Sequence, residues 1–156
     1  MSEKVPSLAQ WAGGADKLAL LFRRFYEHVR DDLLLAPVFE TMPTDHAMQV
    51  AHFVGEVLGG PKTYSAGGGS HAQMITKHMG RHLTHEQRRA WMALLLATAD
   101  EIGLPDDPEF RASLTGYLEW GSRLAVMNAQ DGVVPPDPDL AMPSWNWSSP
   151  GGPYRP

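Results

Sequence analysis

Apolar residues recur at intervals of three and four along most of this chain, and this spacing constrains the fold more than any other feature. Between residues 15 and 29 it marks a stripe formed by Leu18, Leu21, Phe22, Phe25, Tyr26 and Val29. Such spacing places side chains on one face of an α-helix, whereas a half-buried strand alternates at every second residue. No segment shows a convincing alternating pattern. The sequence therefore predicts an all-α fold.

Glycines, prolines and capping residues divide the chain into separate helices. Gly13 and Gly14 interrupt the first helical pattern, and the glycine-rich stretch "KTYSAGGGS" predicts a loop. Thr84 is followed three residues later by Gln87, which matches the capping box that begins many helices. The other predicted elements are a short helical turn in "LLLAPVFETMP", and helices from Thr44 or Asp45 to the Gly59–Gly60 pair, from Ser70 to about His78, from Thr84 to about Ile102, and from Phe110 to Met127.

The bulk composition narrows the possible functions. The 156 residues suffice for one domain with a substantial core, and the net charge is −5 with neutral histidines. This acidic balance argues against nucleic acid as a main partner, because phosphate binding needs a basic surface. The absence of cysteine removes disulfides, thiolate ligands and the C-x-x-C-H haem attachment, and it is consistent with a reducing compartment. Since no apolar run approaches the roughly 20 residues that span a bilayer, we expect a cytoplasmic protein that does not act at a membrane.

The composition changes after Gly132. Residues 133–156 are rich in proline and glycine, which do not support a regular helix or strand. We therefore expect a domain over residues 1–132 and an extended or disordered tail over residues 133–156. Trp145 and Trp147 lie within this tail, and exposed indoles usually dock against another surface.

Three histidines lie close together in "TKHMGRHLTH", and a zinc site is one interpretation of them. The four-residue step from His78 to His82 places two rings on one face if the helix continues. However, Gly80 and the cap at Thr84 predict a break, and "HEQRR" differs from the H-E-x-x-H of zinc proteases. His85, which has charged neighbours, is more simply interpreted as a solvated helix residue.

Several polar-tipped aromatic side chains fall on faces that should be buried. His46 begins a stripe that continues with Val50 and Phe53. Tyr26 and Trp91 lie on the apolar faces of two other helices. Each alone is explained as a core residue with a hydrogen-bond partner. Together they would bury a phenol, an indole and imidazoles in one small domain, where such groups need partners. An apolar cavity around an iron-bearing ring and its gas ligand would supply a shared partner.

Several short motifs occur in the order and register of a known family. They are "GGADKL", "RFYEHV" with Tyr26, "APVF" ending at Phe39, "HFVGEVLGGPKTYS", "MITKHMG" with His78, "EQRRAW" with Trp91 thirteen residues later, and "YLEWGSRL". On these motifs the chain resembles the group II truncated haemoglobins over roughly residues 7–129. The resemblance implies a truncated globin fold, a 2-on-2 helical sandwich around a haem, within the domain over residues 1–132. The cofactor it implies is haem b.

The resemblance also implies roles for individual residues. His78 corresponds to the proximal histidine, the one protein ligand of the iron, whose second ring nitrogen should donate to a carbonyl or water. Tyr26 and Trp91 correspond to the distal pair that donates hydrogen bonds to the bound gas. His46 occupies the head of the distal helix, where many group II members carry a small residue. It is therefore expected to donate to the ligand, to gate the pocket, or to approach ferric iron.

A second set of residues is expected to contact the haem itself. Phe39 matches an aromatic position against the ring and lacks the hydroxyl that a tyrosine would add there. Val50 lies one turn after His46 on the apolar stripe of the same helix. Lys77 and Tyr64 match positions that reach the haem propionates in relatives. Trp91 is expected to contact the haem as well as its ligand.

The implied function is binding of dioxygen and other small diatomic ligands, including carbon monoxide and nitric oxide. Two charge-assisted donors are worth about 1.5–3 kcal/mol each, so they would slow dissociation by powers of ten. Slow release favours redox or detoxification chemistry over transport, with an unknown reductase as partner. A haem peroxidase acting on hydrogen peroxide is the alternative, and nitric oxide dioxygenation is a possible side activity. A haem-free interaction module is the third interpretation.

Overall fold

The computed structural model describes residues 4–156, and this part of the chain forms seven α-helices and one 3₁₀ turn without a β-strand. The first three residues of the predicted domain lie outside it. The helices are α1 (Leu8–Ala12), α2 (Ala15–Val29), α3 (His46–Val57), α4 (Thr63–Ala66), α5 (His71–His78), α6 (His85–Glu101) and α7 (Pro108–Asn128), with the 3₁₀ turn at Ala36–Phe39. The prediction of an all-α chain is confirmed.

Two boundaries differ from the sequence prediction. A short helix, α4, begins in the stretch that was expected to be a loop, and only the glycines after Ala66 remain irregular. Helix α7 begins two residues earlier than expected, at Pro108. The Asp107 side chain accepts a hydrogen bond from the Phe110 main-chain N–H at 3.1 Å, and proline at the first helical position loses no hydrogen bond.

The longer helices pack as two pairs around a shared core. Helix α2 packs on α3 and on α6, α6 packs on α7, and α5 packs on α7. The apolar stripe of α2 supplies Phe22 and Phe25, and α7 supplies Phe110, all three fully buried. Because α5 contacts α7 on one side only, a space is left between it and the α2–α3 pair.

The end of α5 turns sharply away from this space. Gly80 has a φ of +75° and His82 a φ of +52°, both in the left-handed region that favours glycine. The main-chain N–H of His82 donates to the Ala129 carbonyl at 2.9 Å, and its ring nitrogen Nε2 lies 2.7 Å from an Asp131 carboxylate oxygen. These contacts hold the exposed His82 at the surface, apart from His78.

The tail over residues 133–156 is extended and packs against the helices. Trp147 is buried, and its indole N–H donates to the Pro6 carbonyl at 2.8 Å. The indole N–H of Trp145 donates to the Ser113 carbonyl at 3.1 Å, and its main-chain N–H donates to the Val57 carbonyl at 2.8 Å. The tail thus links the ends of α1, α3 and α7. Within residues 4–156, no helix combines the length and apolar character needed to cross a bilayer.

Candidate functional site

The space beside α5 is a cavity of about 860 Å³ with a mostly apolar lining. This volume lies within the usual range of cofactor and ligand pockets. Every residue that the sequence singled out for the site lines this one cavity: Tyr26, Phe39, His46, Val50, Tyr64, Lys77, His78 and Trp91. They come from α2, the 3₁₀ turn, α3, α4, α5 and α6, so only the tertiary fold brings them together.

His78, the last residue of α5, presents a neutral ring to the cavity. Its Nδ1 lies 2.7 Å from the Met74 carbonyl one turn earlier, so this nitrogen carries the hydrogen and donates. Burial lowers the pKa of His78, and the charges of Arg81 and Lys77 act in the same direction, against the opposing effect of the Met74 bond. Among the described residues, no group is hydrogen bonded to Nε2. The ring therefore has a free lone pair and an oriented second nitrogen, as a metal-ligating histidine requires.

Tyr26 and His46 meet on another wall of the cavity. The phenol oxygen of Tyr26 lies 3.0 Å from Nε2 of His46, and Tyr26 is only 4% exposed. The indole N–H of Trp91 is the other donor near this phenol, and it lowers the pKa of Tyr26. Three residues from three helices thus form one chain of polar groups, with the Tyr26 oxygen at its centre.

Aromatic packing holds this chain in place. The ring of Tyr26 makes edge-to-face contacts with Phe39, with centroids 5.3 Å apart, and with Phe25 at 4.9 Å. Phe25 makes a similar contact with Trp91 at 5.8 Å. The His46 ring packs against Tyr26 at 4.9 Å and against Phe39 at 5.8 Å. Such contacts restrict each ring to one orientation, so the polar atoms keep their positions.

Burial keeps the distal residues uncharged. It raises the pKa of Tyr26 well above its usual range, with only partial compensation from the Trp91 hydrogen bond. Burial is also the largest cause that lowers the pKa of His46, followed by the positive charges of Lys77 and Arg81. At neutral pH this wall therefore offers a phenol and a neutral imidazole to whatever occupies the cavity.

The margin of the cavity carries basic groups. Lys77 is exposed beside His78, and Arg81 follows on the same side, its Nε–H donating to the Lys77 carbonyl. Tyr64 is buried, and its hydroxyl donates to the Ser70 carbonyl at 3.3 Å. An anionic substituent at this margin would find cations near it, whereas the Tyr64 hydroxyl already has a partner.

Of the many lining residues that the sequence had not indicated, Arg81, His71 and Arg88 are notable for their polar side chains. Arg81 could have been found, because it follows His78 by three residues in the basic stretch "KHMGRH". His71 is buried, and its Nδ1 lacks a hydrogen-bond partner within residues 4–156. Arg88 is buried and donates to Glu119 at 3.0 Å. No local pattern distinguishes His71 or Arg88 from an ordinary helix residue.

The zinc interpretation finds no support in the described part of the chain. No group of three histidine, aspartate or glutamate side chains within residues 4–156 is arranged to hold a metal ion. His82 contacts Asp131, and His85 accepts a hydrogen bond from Arg88 at 3.1 Å. The three histidines therefore point to different surroundings.

A haem fits this cavity by the chemistry of its donors. The lining is apolar, a neutral imidazole with a free nitrogen projects from α5, and cations stand at the margin where acidic substituents would emerge. A different part of the lining is polar, and it carries the hydroxyl of Tyr26 and the ring nitrogens of His46 and Trp91. The assignment of single residues to the iron, the ring and the ligand stays a prediction.

The proteins to which this chain is similar belong to one family. A family model described as bacterial-like globin matches residues 8–115. The group 2 truncated haemoglobin YjbI of Bacillus subtilis is 33% identical over 113 residues, which cover 72% of this chain and 83% of that protein. The structure of a truncated oxygen-avid haemoglobin from Bacillus subtilis is similar with a TM-score of 0.68 and 30% identity, covering 78% of this chain and 99% of that one. The group II truncated haemoglobin from Bacillus anthracis has the same fold, with a TM-score of 0.72 at 22% identity, covering 83% and 98%.

Proposed function

This chain belongs to the group II truncated haemoglobins among the bacterial-like globins, and on that premise we propose that it holds dioxygen tightly for redox or detoxification chemistry. Globins of this family bind haem, usually haem b, and small diatomic ligands. When bound, haem supplies an iron atom at which a gas or peroxide is held and exchanges electrons. The proposal concerns what the residues of this chain add to that common ability.

The observation that carries the proposal is the cluster of polar groups of Trp91, Tyr26 and His46 that line the cavity, with Tyr26 and His46 in hydrogen-bond contact. Bound dioxygen carries partial negative charge, and a donor directed at that charge is worth about 1.5–3 kcal/mol. Because about 1.4 kcal/mol corresponds to a factor of ten, one or two such donors would slow release by powers of ten. A protein with slow release makes a poor carrier. A solved relative is itself described as oxygen-avid.

Each residue has a defined part in this proposal. His78 holds the cofactor through Nε2, while its Nδ1–H bond to Met74 fixes the ring orientation. Phe39 and Val50 exclude water from the cavity, and Tyr26 and Trp91 stabilise the bound gas. Lys77 and Arg81 pair with the acidic groups of the cofactor at the margin.

The dissociation rate of dioxygen tests the proposal. In stopped-flow experiments, we expect Tyr26→Phe and Trp91→Phe each to speed release by about 5- to 30-fold, since each removes a buried hydrogen bond of about 1–2 kcal/mol. The double variant should show coupling, because Trp91 and Tyr26 share one network. His28→Ala, which does not line the cavity and is paired with Glu101, is the control. Fast release by the unmodified protein, or unchanged rates in both variants, would contradict the proposal.

Peroxidase activity is the second candidate, and His46 is the observation that favours it. A neutral imidazole beside the cavity could take a proton from hydrogen peroxide and return it to the leaving oxygen. Turnover with peroxide and a reducing dye measures this activity, and nitric oxide consumption under oxygen measures the dioxygenase reaction. Activity that survives His46→Ala would show that His46 is not the proton shuttle.

A reductase would complete the proposed cycle, because oxidation of nitric oxide to nitrate by bound dioxygen would leave the iron in the ferric state. We propose that the protein works in the cytoplasm, where cellular reductants are available for this step. Cell fractionation tests the location, and reduction of the ferric protein by cytosolic extract, followed by its visible spectrum, tests the reductase.

A further inference from the structure

The Tyr26 hydroxyl has a single hydrogen, and its neighbours indicate which group can receive it. The Trp91 indole has a hydrogen and no acceptor, so in their contact Trp91 donates and the Tyr26 oxygen accepts. Burial keeps the phenol protonated. Its hydrogen therefore remains for one other partner.

That partner is His46. Its Nε2 lies 3.0 Å from the phenol oxygen, and no other acceptor for Tyr26 is present within the described chain. Because His46 is half-buried and neutral, one ring nitrogen carries a hydrogen and the other accepts. With Nε2 facing the phenol, the arrangement that satisfies both groups places the histidine hydrogen on Nδ1 and leaves Nε2 as acceptor.

We propose that His46 competes with the bound ligand for the hydrogen of Tyr26 and thereby lowers the oxygen affinity of the pocket. This inference rests on the proposed function, because it assumes that Tyr26 stabilises the ligand. In this tautomer, the phenol hydrogen has to turn away from Nε2 of His46 to donate to a ligand, and the hydrogen bond to Nε2 is lost. His46 thus acts through Tyr26 as a positioning residue.

Removal of His46 should change the oxygen affinity in a direction that distinguishes competition from the other roles of this residue. If His46 donated to the ligand, its removal would lower affinity. If His46 only gated the entrance, its removal would raise the association and dissociation rates equally and leave affinity unchanged. As a competitor, its removal frees the Tyr26 hydrogen and raises affinity.

The test is a double-mutant cycle on the haem-loaded protein, read out by the ratio of the oxygen dissociation and association rates. We expect His46→Leu to raise oxygen affinity by about threefold to tenfold, the effect of a competing hydrogen bond. In the Tyr26→Phe background the same substitution should change affinity little, because no hydrogen is left to compete for. His46→Phe, which keeps a ring against Tyr26 and Phe39, should agree with His46→Leu.

The carbon monoxide complex gives an independent spectroscopic readout. A hydrogen bond to the ligand oxygen weakens the C–O bond, so His46→Leu should lower the C–O stretching frequency, and only when Tyr26 is present. A lower affinity in His46→Leu, an unchanged affinity, or an equal gain in the Tyr26→Phe background would each overturn the inference. These outcomes compare variants, so they can be read whether or not the unmodified protein releases oxygen slowly, which is the test of the proposed function.

Discussion

The hydrogen on the His78 ring illustrates how single residues set the chemistry of the cavity. The Met74 carbonyl, one helical turn earlier, accepts from Nδ1 and leaves Nε2 for a ligand. Its position follows from the geometry of α5, because residues four apart lie on the same face of a helix. A main-chain carbonyl therefore orients the ring, and no second side chain is needed for this purpose.

Removal of the His78 ring should release the cofactor. We expect His78→Gly to be purified with little haem, because His78 is the predicted ligand of the iron and its Nε2 is free. Added imidazole should restore the visible spectrum by filling the space that the side chain leaves. His82→Ala, whose ring is held at the surface by Asp131, is the control. If His82→Ala loses haem and His78→Gly keeps it, the assignment is wrong.

Acidification should destabilise the protein through its buried histidines. Folding lowers the pKa of His46, His71 and His78 from the ordinary value of 6.5, with burial as the main cause in each. Above that value both folded and unfolded chains are neutral at these residues. As pH falls below it, the unfolded chain binds protons first, so stability decreases until the folded-state values are passed. Urea unfolding from neutral pH to about pH 5 measures this trend, and equal or rising stability over this range would contradict it.

At the scale of the elements, side-chain caps determine where α5 and α6 begin. The Ser70 hydroxyl accepts from the Gln73 main-chain N–H, and Thr84 and Gln87 form a reciprocal capping box. Asp45 occupies the equivalent position before α3 but makes no such bond to the helix. The sequence predicted the Thr84 box correctly, because all of its atoms lie within four residues.

This difference between the caps can be measured. We expect Thr84→Ala to lower the free energy of unfolding by about 1 kcal/mol, since a main-chain N–H loses its acceptor. Asp45→Ala should cost clearly less, because its carboxylate accepts only from the Gln49 side chain at 3.3 Å, in an exposed setting. Chemical denaturation of both variants measures the two losses in the free energy of unfolding. Equal losses would contradict the view that the capping bond makes the difference between the two helix starts.

At the scale of the whole molecule, the tail over residues 133–156 contributes a buried side chain to the hydrophobic core. Trp147 contacts Trp11 and Phe110, with ring centroids 6.1 Å and 6.4 Å apart, and it is 9% exposed. Trp145 packs on Tyr117 and Trp120 of α7. The family match ends at residue 115, so both tail tryptophans belong to a part of the chain that the match does not describe.

Loss of the Trp147 ring should therefore destabilise the whole fold. We expect Trp147→Ala to lower the free energy of unfolding by about 3 kcal/mol, as is usual when a buried aromatic side chain is deleted. Tyr154→Ala, in the same tail but 48% exposed, is the matched control and should change little. Thermal and urea unfolding of the haem-loaded variants give the comparison. Unchanged stability in Trp147→Ala would show that the tail does not contribute to the core.

The features that depend on neighbours within a few residues could be predicted from the sequence. The stripe of α2, the Thr84 capping box and the break near Gly80 come from helix periodicity and local hydrogen bonds, which act over one or two turns. The family resemblance, which includes the register between His78 and Trp91, indicated which residues belong to one site. The sequence could not show the short helix Thr63–Ala66, because three of its four residues have weak helical preference and it packs on α3.

Only the tertiary structure decided which side chains meet. Tyr26 and His46 are 20 residues apart, and Pro6 and Trp147 are 141 apart. Periodicity indicates that a side chain faces inward, but the crossing of helices determines which group lies opposite it. The sequence by itself therefore determined an all-helical chain with polar rings on its buried faces. The packing of α2 against α3 decided that one of those rings, His46, lies within hydrogen-bond distance of the Tyr26 hydroxyl.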